Sequence, residues 1–294
     1  MGFLATFQVH IIHVGNMNNK GTQALLKSDI SAIKDIVLGD VTFSVSTTDI
    51  EGVKRLNLSL DAVLPPMVDI PYEKADSFAR KFGLDRNSWR YKAFALGSLI
   101  LMFIQAISSV ISAILVKADL RAFYRAKVLK HVKDCNVVIS YSDENFKEMS
   151  PLLPSNIYWM VTWWSMLVSR TWEILIAKFL GKPVVMFPNS VGPFRTWIGR
   201  FLTRLALNNC VCILVREPVS YLTVKSLGIR SPEILTSDTT LLFRSAHNVV
   251  FRSPFHPVMG VSAGFYSHSF SEKEVYRYIV AHAVALDRAV EKGI

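Results

Sequence analysis

Residues 181–243 read GKPVVMFPNSVGPFRTWIGRFLTRLALNNCVCILVREPVSYLTVKSLGIRSPEILTSDTTLLF, and the order of residue types in this stretch decides the fold. Val184 to Phe187 is a short apolar run, the pattern of a strand buried on both faces. Pro188, Asn189, Ser190, Val191, Gly192 and Pro193 stop it with an amide, a hydroxyl and turn formers. A basic helical segment follows. A second apolar run, Val211 to Val215, ends at Arg216 and Glu217, and a third strand, Glu233 to Thr236, leads to Asp238. This alternation predicts an α/β class: a Rossmann-type parallel sheet with helices on both faces. Open α/β sheets bind ligands at the carboxyl ends of their strands. Asn189, Ser190, Gly192, Arg216, Glu217, Ser220 and Asp238 are expected on that edge. Arg216 suits bidentate recognition of a carboxylate or phosphate, with Glu217 orienting it. The plainer readings are a surface Arg216–Glu217 pair of little energetic weight, a helix-capping Ser220 and a turn-forming Asp238.

Working outward, Phe7 to Val14 reads as the first strand, followed by Asn16, Met17, Asn18, Asn19, Lys20, Gly21 and Thr22. Glycine lets backbone approach a ligand, the helix beginning near Thr22 offers free amides and partial positive charge, and Lys20 adds a full charge. Asn16, Asn19, Lys20, Gly21 and Thr22 are therefore candidate anion-binding residues. Asn/Gly turns also arise for conformational reasons alone. Asn136 to Ile139 is a further buried strand. Val258 to Ser262 is another, followed by a small polar loop containing His268, and Ser271 with Glu274 forms a capping box for a helix from Glu272 to about Glu291.

The 181–243 stretch resembles the polysaccharide pyruvyl transferase family, in which a GKPV strand leads into a "(Q/N)SxGPF" loop, then "(V/A)RE/RDxxS", then an aspartate after the next strand. Here these are Asn189, Ser190, Gly192, Pro193 and Phe194, then Arg216, Glu217 and Ser220, then Asp238. The VGNMNNKGTQALLKSDI segment, Val14 to Ile30, resembles the family's N-terminal "GNxGNxGDxAxL" turn, with Thr22 where many members carry Asp. The resemblance implies a GT-B-like pair of Rossmann-like domains: residues 1–255, and 256–294 as the first strand–helix unit of a truncated second domain. It implies transfer of a pyruvyl group from phosphoenolpyruvate, a donor substrate rather than a cofactor, to a sugar of a cell-surface or lipid-linked glycan. Arg216, Asp238 and Glu217 then become the catalytic candidates. Asn16, Asn19, Lys20, Gly21, Thr22, Asn189, Ser190, Gly192, Ser220 and His268 become the substrate-binding ones. One departure from the family is Ser140-Tyr141-Ser142-Asp143-Glu144, where many members have a glycine-rich loop. Two other readings stand beside this one: a GT-B-type glycosyltransferase using a nucleotide sugar, and a catalytically inactive membrane-associated partner.

The chain has 294 residues, 51% of them hydrophobic, and a net charge of +10. Such an excess favours an anionic partner, a phosphate-bearing substrate or acidic headgroups; no nucleic-acid-binding motif is present. Cys135, Cys210 and Cys212 sit in or beside apolar runs without metal-ligand spacing, so buried reduced thiols and no metal site are expected. The expected location is the cytoplasmic face of a membrane.

Ala93 to Val116, AFALGSLILMFIQAISSVISAILV, is an uncharged insertion within the basic region 86–133. As a helix it would extend about 36 Å, enough for a bilayer core of about 30 Å. A single crossing would, however, separate strands that must share one sheet. Arg86, Arg90 and Lys92 on one side, with Lys117, Arg121, Arg125, Lys127, Lys130 and Lys133 on the other, lack the asymmetry of a spanning helix. The segment reads as a re-entrant hairpin or an interfacial helix on acidic headgroups; a buried helix or an oligomer interface are the alternatives. Ile157 to Val168, with Trp159, Trp163 and Trp164, is a second candidate membrane patch, while Ser165 to Leu180 reads as a core helix.

Overall fold

A computed structural model describes residues 6–69, 81–83, 88–148, 157–242 and 272–293. It divides into two units, Met1–Met149 with Ile157–Phe243, and Ser150–Asn156 with Arg244–Ile294.

The first unit is built on seven strands: β1 (Phe7–Val14), β2 (Val41–Thr47), β3 (Ala62–Leu64), β4 (Val137–Ser140), β5 (Val184–Asn189), β6 (Cys212–Val215) and β7 (Glu233–Leu235). They form one all-parallel sheet in the order β3-β2-β1-β4-β5-β6-β7. The apolar runs around 138, 185 and 213 become its buried middle because parallel strands are covered on both faces. Helices α1 (Lys20–Ile36) and α2 (Ile50–Arg55) cover one face, packing Leu26, Ile30 and Val53 on Val9, Ile11, Phe43 and Val45. Helices α3 (Trp89–Lys117), α4 (Ala126–Asp134), α5 (Ile157–Phe179) and α6 (Trp197–Leu207) belong to the opposite core, with Ile12, Val138, Val184, Met186 and Ile213. Helix α7 (Pro218–Ser226) links β6 to β7, and a 3-10 turn, Thr239–Leu242, follows β7. The Rossmann-like sheet with helices on both faces is thus present.

Two histidines interrupt the apolar alternation of β1. His10 is fully buried, with its ring nitrogens 2.7 Å from Ser44 Oγ and 3.0 Å from Ser46 Oγ. Burial, reinforced by the His131 charge, lowers its pKa to about 3, so it is a neutral strand residue satisfied by hydroxyls. His13 departs from the strand conformation, with φ of 69° where the β1–β2 register shifts between Ile11 and Val14. Its Nδ1 lies 2.9 Å from Ser140 Oγ and its Nε2 3.0 Å from the Arg170 carbonyl.

The apolar insertion is one continuous helix, α3, of 29 residues, which overturns the re-entrant hairpin. Because β1 precedes α3 and β5 follows it in the same sheet, the helix makes no simple crossing between them. It also runs parallel to α5: Trp172 Nε1 donates to Ser109 Oγ at 2.9 Å, and Lys117 Nζ donates to the Phe179 carbonyl at 2.9 Å. The buried-helix alternative fails as well, since Leu96, Ile100, Phe103, Ile104, Ile107 and Ile111 are all exposed. In the second candidate patch Ser165 is buried, while Trp163, Trp164, Met166 and Val168 are half-buried. Leu167 is buried, and the half-buried Trp164 donates to Glu148 Oε1 at 2.8 Å. Trp159 lies outside the residues whose side chains are described.

In the second unit, helix α8 (Glu272–Glu291) falls where the capping pattern put it. The expected strand 258–262, His268, Ser271 and the boundary at 255/256 lie outside the described residues, as does any GT-B pairing of two domains.

Candidate active site

Parallel strands all point their carboxyl ends to one edge, and the chain reverses direction across the sheet between β1, which leads to β2, and β4, which leads to β5. That switch opens a crevice between the loops after the two strands. Asp143 Oδ2 lies 3.9 Å from where a Cβ on Gly15 would sit, so the loop after β4 closes on the turn after β1.

Arg216 stands at the end of β6 on this edge. Its side chain is 15% exposed. Nε donates to Ser190 Oγ at 2.8 Å, and Nη1 to Asp238 Oδ2 at 2.9 Å. Glu144 Oε1 lies 3.8 Å from Nη2, and Glu217 Oε2 3.7 Å from Nε. Arg216 is therefore one cation ringed by three carboxylates from three strand ends. Asp238 does double duty: its other oxygen accepts from the backbone and hydroxyl of Thr240 at 2.8 and 2.7 Å. Burial alone would raise the Asp238 carboxyl, but the Thr240 hydrogen bonds and the Arg216 charge outweigh it and hold it below its ordinary range. Glu144 behaves likewise: burial opposes ionisation, and Lys147 together with Arg216 wins. Both carboxylates are ionised at neutral pH.

Other expected residues tie the loops around this group together. Ser220 is buried and lies inside α7, so it does not cap that helix. It accepts from the Val191 amide at 2.8 Å and donates to Glu217 Oε1 at 2.7 Å, tying the loop after β5 to the loop after β6. Asn189 is fully buried. Its amide donates to the Tyr141 and Phe187 carbonyls at 2.9 Å each, and its oxygen accepts from the Asn145 backbone. Asn189 is a clasp between the loops after β4 and β5. Gly192 has φ of +87°, and a Cβ there would also crowd Thr223 at 3.1 Å, so glycine is required by both backbone and space.

The turn after β1 forms a separate group. Asn19 caps α1 by accepting from Gly21 N at 2.8 Å, and Asn16 accepts from Asn18 N at 2.8 Å. Lys20 and Gly21 are exposed, whereas Thr22 is buried, its carbonyl accepting from Tyr141 Oη at 2.6 Å. Among the described residues no hydrogen bond or ion pair joins this turn directly to Arg216; the 141–148 loop lies between them. That loop is where sequence reasoning missed most. Glu144 faces Arg216. Ser142 binds Asp29 through its amide and hydroxyl at 3.0 and 2.8 Å. Glu148, almost fully buried, accepts from the Arg195 and Thr196 amides at 2.5 and 2.8 Å and from the Thr196 hydroxyl. A carboxylate of the chain thus already occupies the N-terminus of α6. The only hint was a polar run where the family has glycines.

Two cavities among the described residues lie away from this chemistry. One of about 20 Å³, room for a single water, lies by His13, Gly15, Arg170 and Glu173 near the switch point. A larger one, about 370 Å³, lies at the opposite, amino edge, lined by Gln8, Thr42, Asp61, His131 and Asp134. The strand-end geometry is the better guide, because the charged groups converge there and none of the amino-edge residues ties to them. Among the described residues, no group of three His, Cys, Asp or Glu is arranged to hold a metal ion.

The family model for polysaccharide pyruvyl transferases matches residues 57–292. The chain belongs to the polysaccharide pyruvyl transferase family. The match spans Asn189, Ser190, Gly192, Arg216, Glu217, Ser220 and Asp238, and also α3; the turn after β1 precedes it. This polysaccharide pyruvyl transferase family member is accordingly a transferase acting on a glycan. A search of curated proteins finds no match.

Proposed function

We propose that the chain transfers the pyruvyl group of phosphoenolpyruvate to two hydroxyls of one sugar in a cell-surface or lipid-linked glycan. Each hydroxyl oxygen bonds to the enol carbon, the methylene carbon takes a proton, and the enol C–O bond to phosphate breaks, leaving a pyruvate ketal and inorganic phosphate. The observation that carries this reading is Arg216, held by Ser190 and Asp238 with Nη2 making no hydrogen bond among the described residues. That edge faces Glu144 at 3.8 Å, beyond hydrogen-bond distance, so its N–H groups can take one oxygen of an incoming carboxylate. Asp238, held ionised by Thr240 and Arg216, and Glu217 beside it suit acceptor hydroxyls and their protons. Lys20, at the start of α1, adds positive charge for the departing phosphate.

The full chain, given phosphoenolpyruvate and candidate glycans, is assayed by acceptor mass and phosphate release. Arg216→Ala is expected to lower kcat/KM by at least 100-fold, in the range seen when a preorganised charge is removed, and to weaken donor binding. Unchanged donor affinity in that variant overturns the site. Thermal stabilisation by nucleotides and none by phosphoenolpyruvate favours the nucleotide-sugar reading instead.

A further inference from the structure

Helix α3 is amphipathic in reverse. Its small and polar residues face the protein: Ser98, Gln105, Ser109 and Ser112 are buried. Each is satisfied there. Gln105 Nε2 donates to Asp69 Oδ2 at 2.8 Å and its oxygen accepts from Asp69 N at 3.0 Å; Ser109 accepts from Trp172, and Ser112 from the Tyr124 amide at 3.1 Å. Most of the bulky residues face out, with Tyr91 and Met102 turned in. Ile100, Ile104 and Ile107 are 62%, 56% and 62% exposed, and Leu96, Phe103 and Ile111 continue the same stripe at helical spacing. A water-facing helix shows the opposite arrangement, and a stripe of this size on a soluble surface marks a binding face.

The helix ends say what covers it. Arg90 and Lys92 at the start, and Lys117 and Arg121 at the close, are exposed. Trp89 and Phe123, 74% and 67% exposed, stand beside them, as aromatic residues do at a lipid–water boundary. Asp119 is the one acidic residue between 89 and 125, and it is paired with Lys133. A second copy of this chain would set basic ends against basic ends in either orientation, so self-pairing of α3 is opposed by charge. The inner side of α3 is held against α5 and the segment around Asp69, so the helix presents one long side rather than its whole circumference. We infer that α3 lies flat in the interface of an anionic lipid bilayer, its Leu96–Ile111 stripe among the acyl chains and its basic ends on the headgroups. This stands apart from the assignment of the reaction.

The test is flotation of the full chain with vesicles of phosphatidylglycerol and phosphatidylcholine, and with phosphatidylcholine alone. Binding is expected on the anionic vesicles, weakened at high salt. Ile104→Glu with Ile107→Glu is expected to reduce it at least tenfold with unchanged circular dichroism and Tm. An Ile107→Cys chain carrying an environment-sensitive dye gives an independent readout, a blue shift on adding the anionic vesicles. Absence of both flotation and dye shift overturns the inference. So does a dimer in solution that Ile104→Glu with Ile107→Glu dissociates, because the stripe would then be covered by a second copy.

Discussion

Arg216 shows what a single residue can and cannot reveal. Its position was legible because a charged pair abruptly ends an apolar run, and such breaks fall at strand ends. Glu144 was not legible, since a loop carboxylate becomes a partner only when β4 and β6 are brought into one sheet with β5 between them. Asp238→Asn keeps an oxygen for Thr240 but removes the charge opposite Arg216. It is expected to cost about 1 kcal/mol or less in denaturant unfolding, as for partly exposed pairs, while activity falls far more; equal losses in both would make Asp238 a structural residue. His13 was read as one more strand residue. Its left-handed backbone depends on Ser140, Arg170 and Glu173, which are supplied by remote parts of the chain.

Four buried titratable groups, Glu173, Asp29, His10 and His13, set a pH dependence. Burial raises Glu173 to about 7 and Asp29 to about 6, against ordinary values of 4.5 and 3.8. Raised carboxylates favour the folded state in their protonated form, so this contribution is full below pH 4 and is lost as pH rises through about 6 to 7. His10, lowered to about 3, and His13, also lowered by burial, act oppositely: their contribution is present above pH 6.5 and is lost as pH falls. Glu173→Gln removes one of the opposing terms. Tm of that variant is expected to fall less than wild type between pH 6 and 8; parallel profiles would exclude Glu173 as a titrating group in that range.

Among elements, β1, β4, β5, β6 and β7 were read from sequence to within a residue or two, because each is a short apolar run between breakers, whereas β2 and β3 were not read. The long apolar helix was legible as a helix but not in its orientation. Hydropathy alone does not say that its serines and its glutamine face inward; the hydrogen bonds with Asp69, Trp172 and the Tyr124 amide decide that. The reverse pattern makes an unusual pair of expectations for the protein in solution. Ile107→Ser on the exposed side is expected to change stability by no more than about 0.5 kcal/mol. Ser109→Leu on the buried side is expected to cost about 1–3 kcal/mol through overpacking and the loss of its bond with Trp172. Denaturant melts of both variants check this, and reversed magnitudes would contradict the helix orientation. Glu148 at the N-terminus of α6 is an element-scale device too. Glu148→Ala leaves the Arg195 and Thr196 amides without their acceptor, and an expected loss of about 3 kcal/mol follows from the usual cost of removing a charged acceptor.

For the whole molecule, the class of fold and the ligand edge were readable because both follow from the alternation of strands and breakers. How the loops after β4, β5 and β6 knit together was not, because Asn145, Asn189, Glu148 and Ser220 act across 29 to 48 residues of chain. The consequence of one such tie reaches beyond this chain. Gly199 lies in the first turn of α6 directly against the Glu148 carboxylate, leaving no space for a side chain. A loop position and a helix position are thereby bound into one choice. Across an alignment of relatives they should vary jointly: where position 199 gains a side chain, position 148 should no longer be glutamate. The tie would then register as a correlated change passed down lineages.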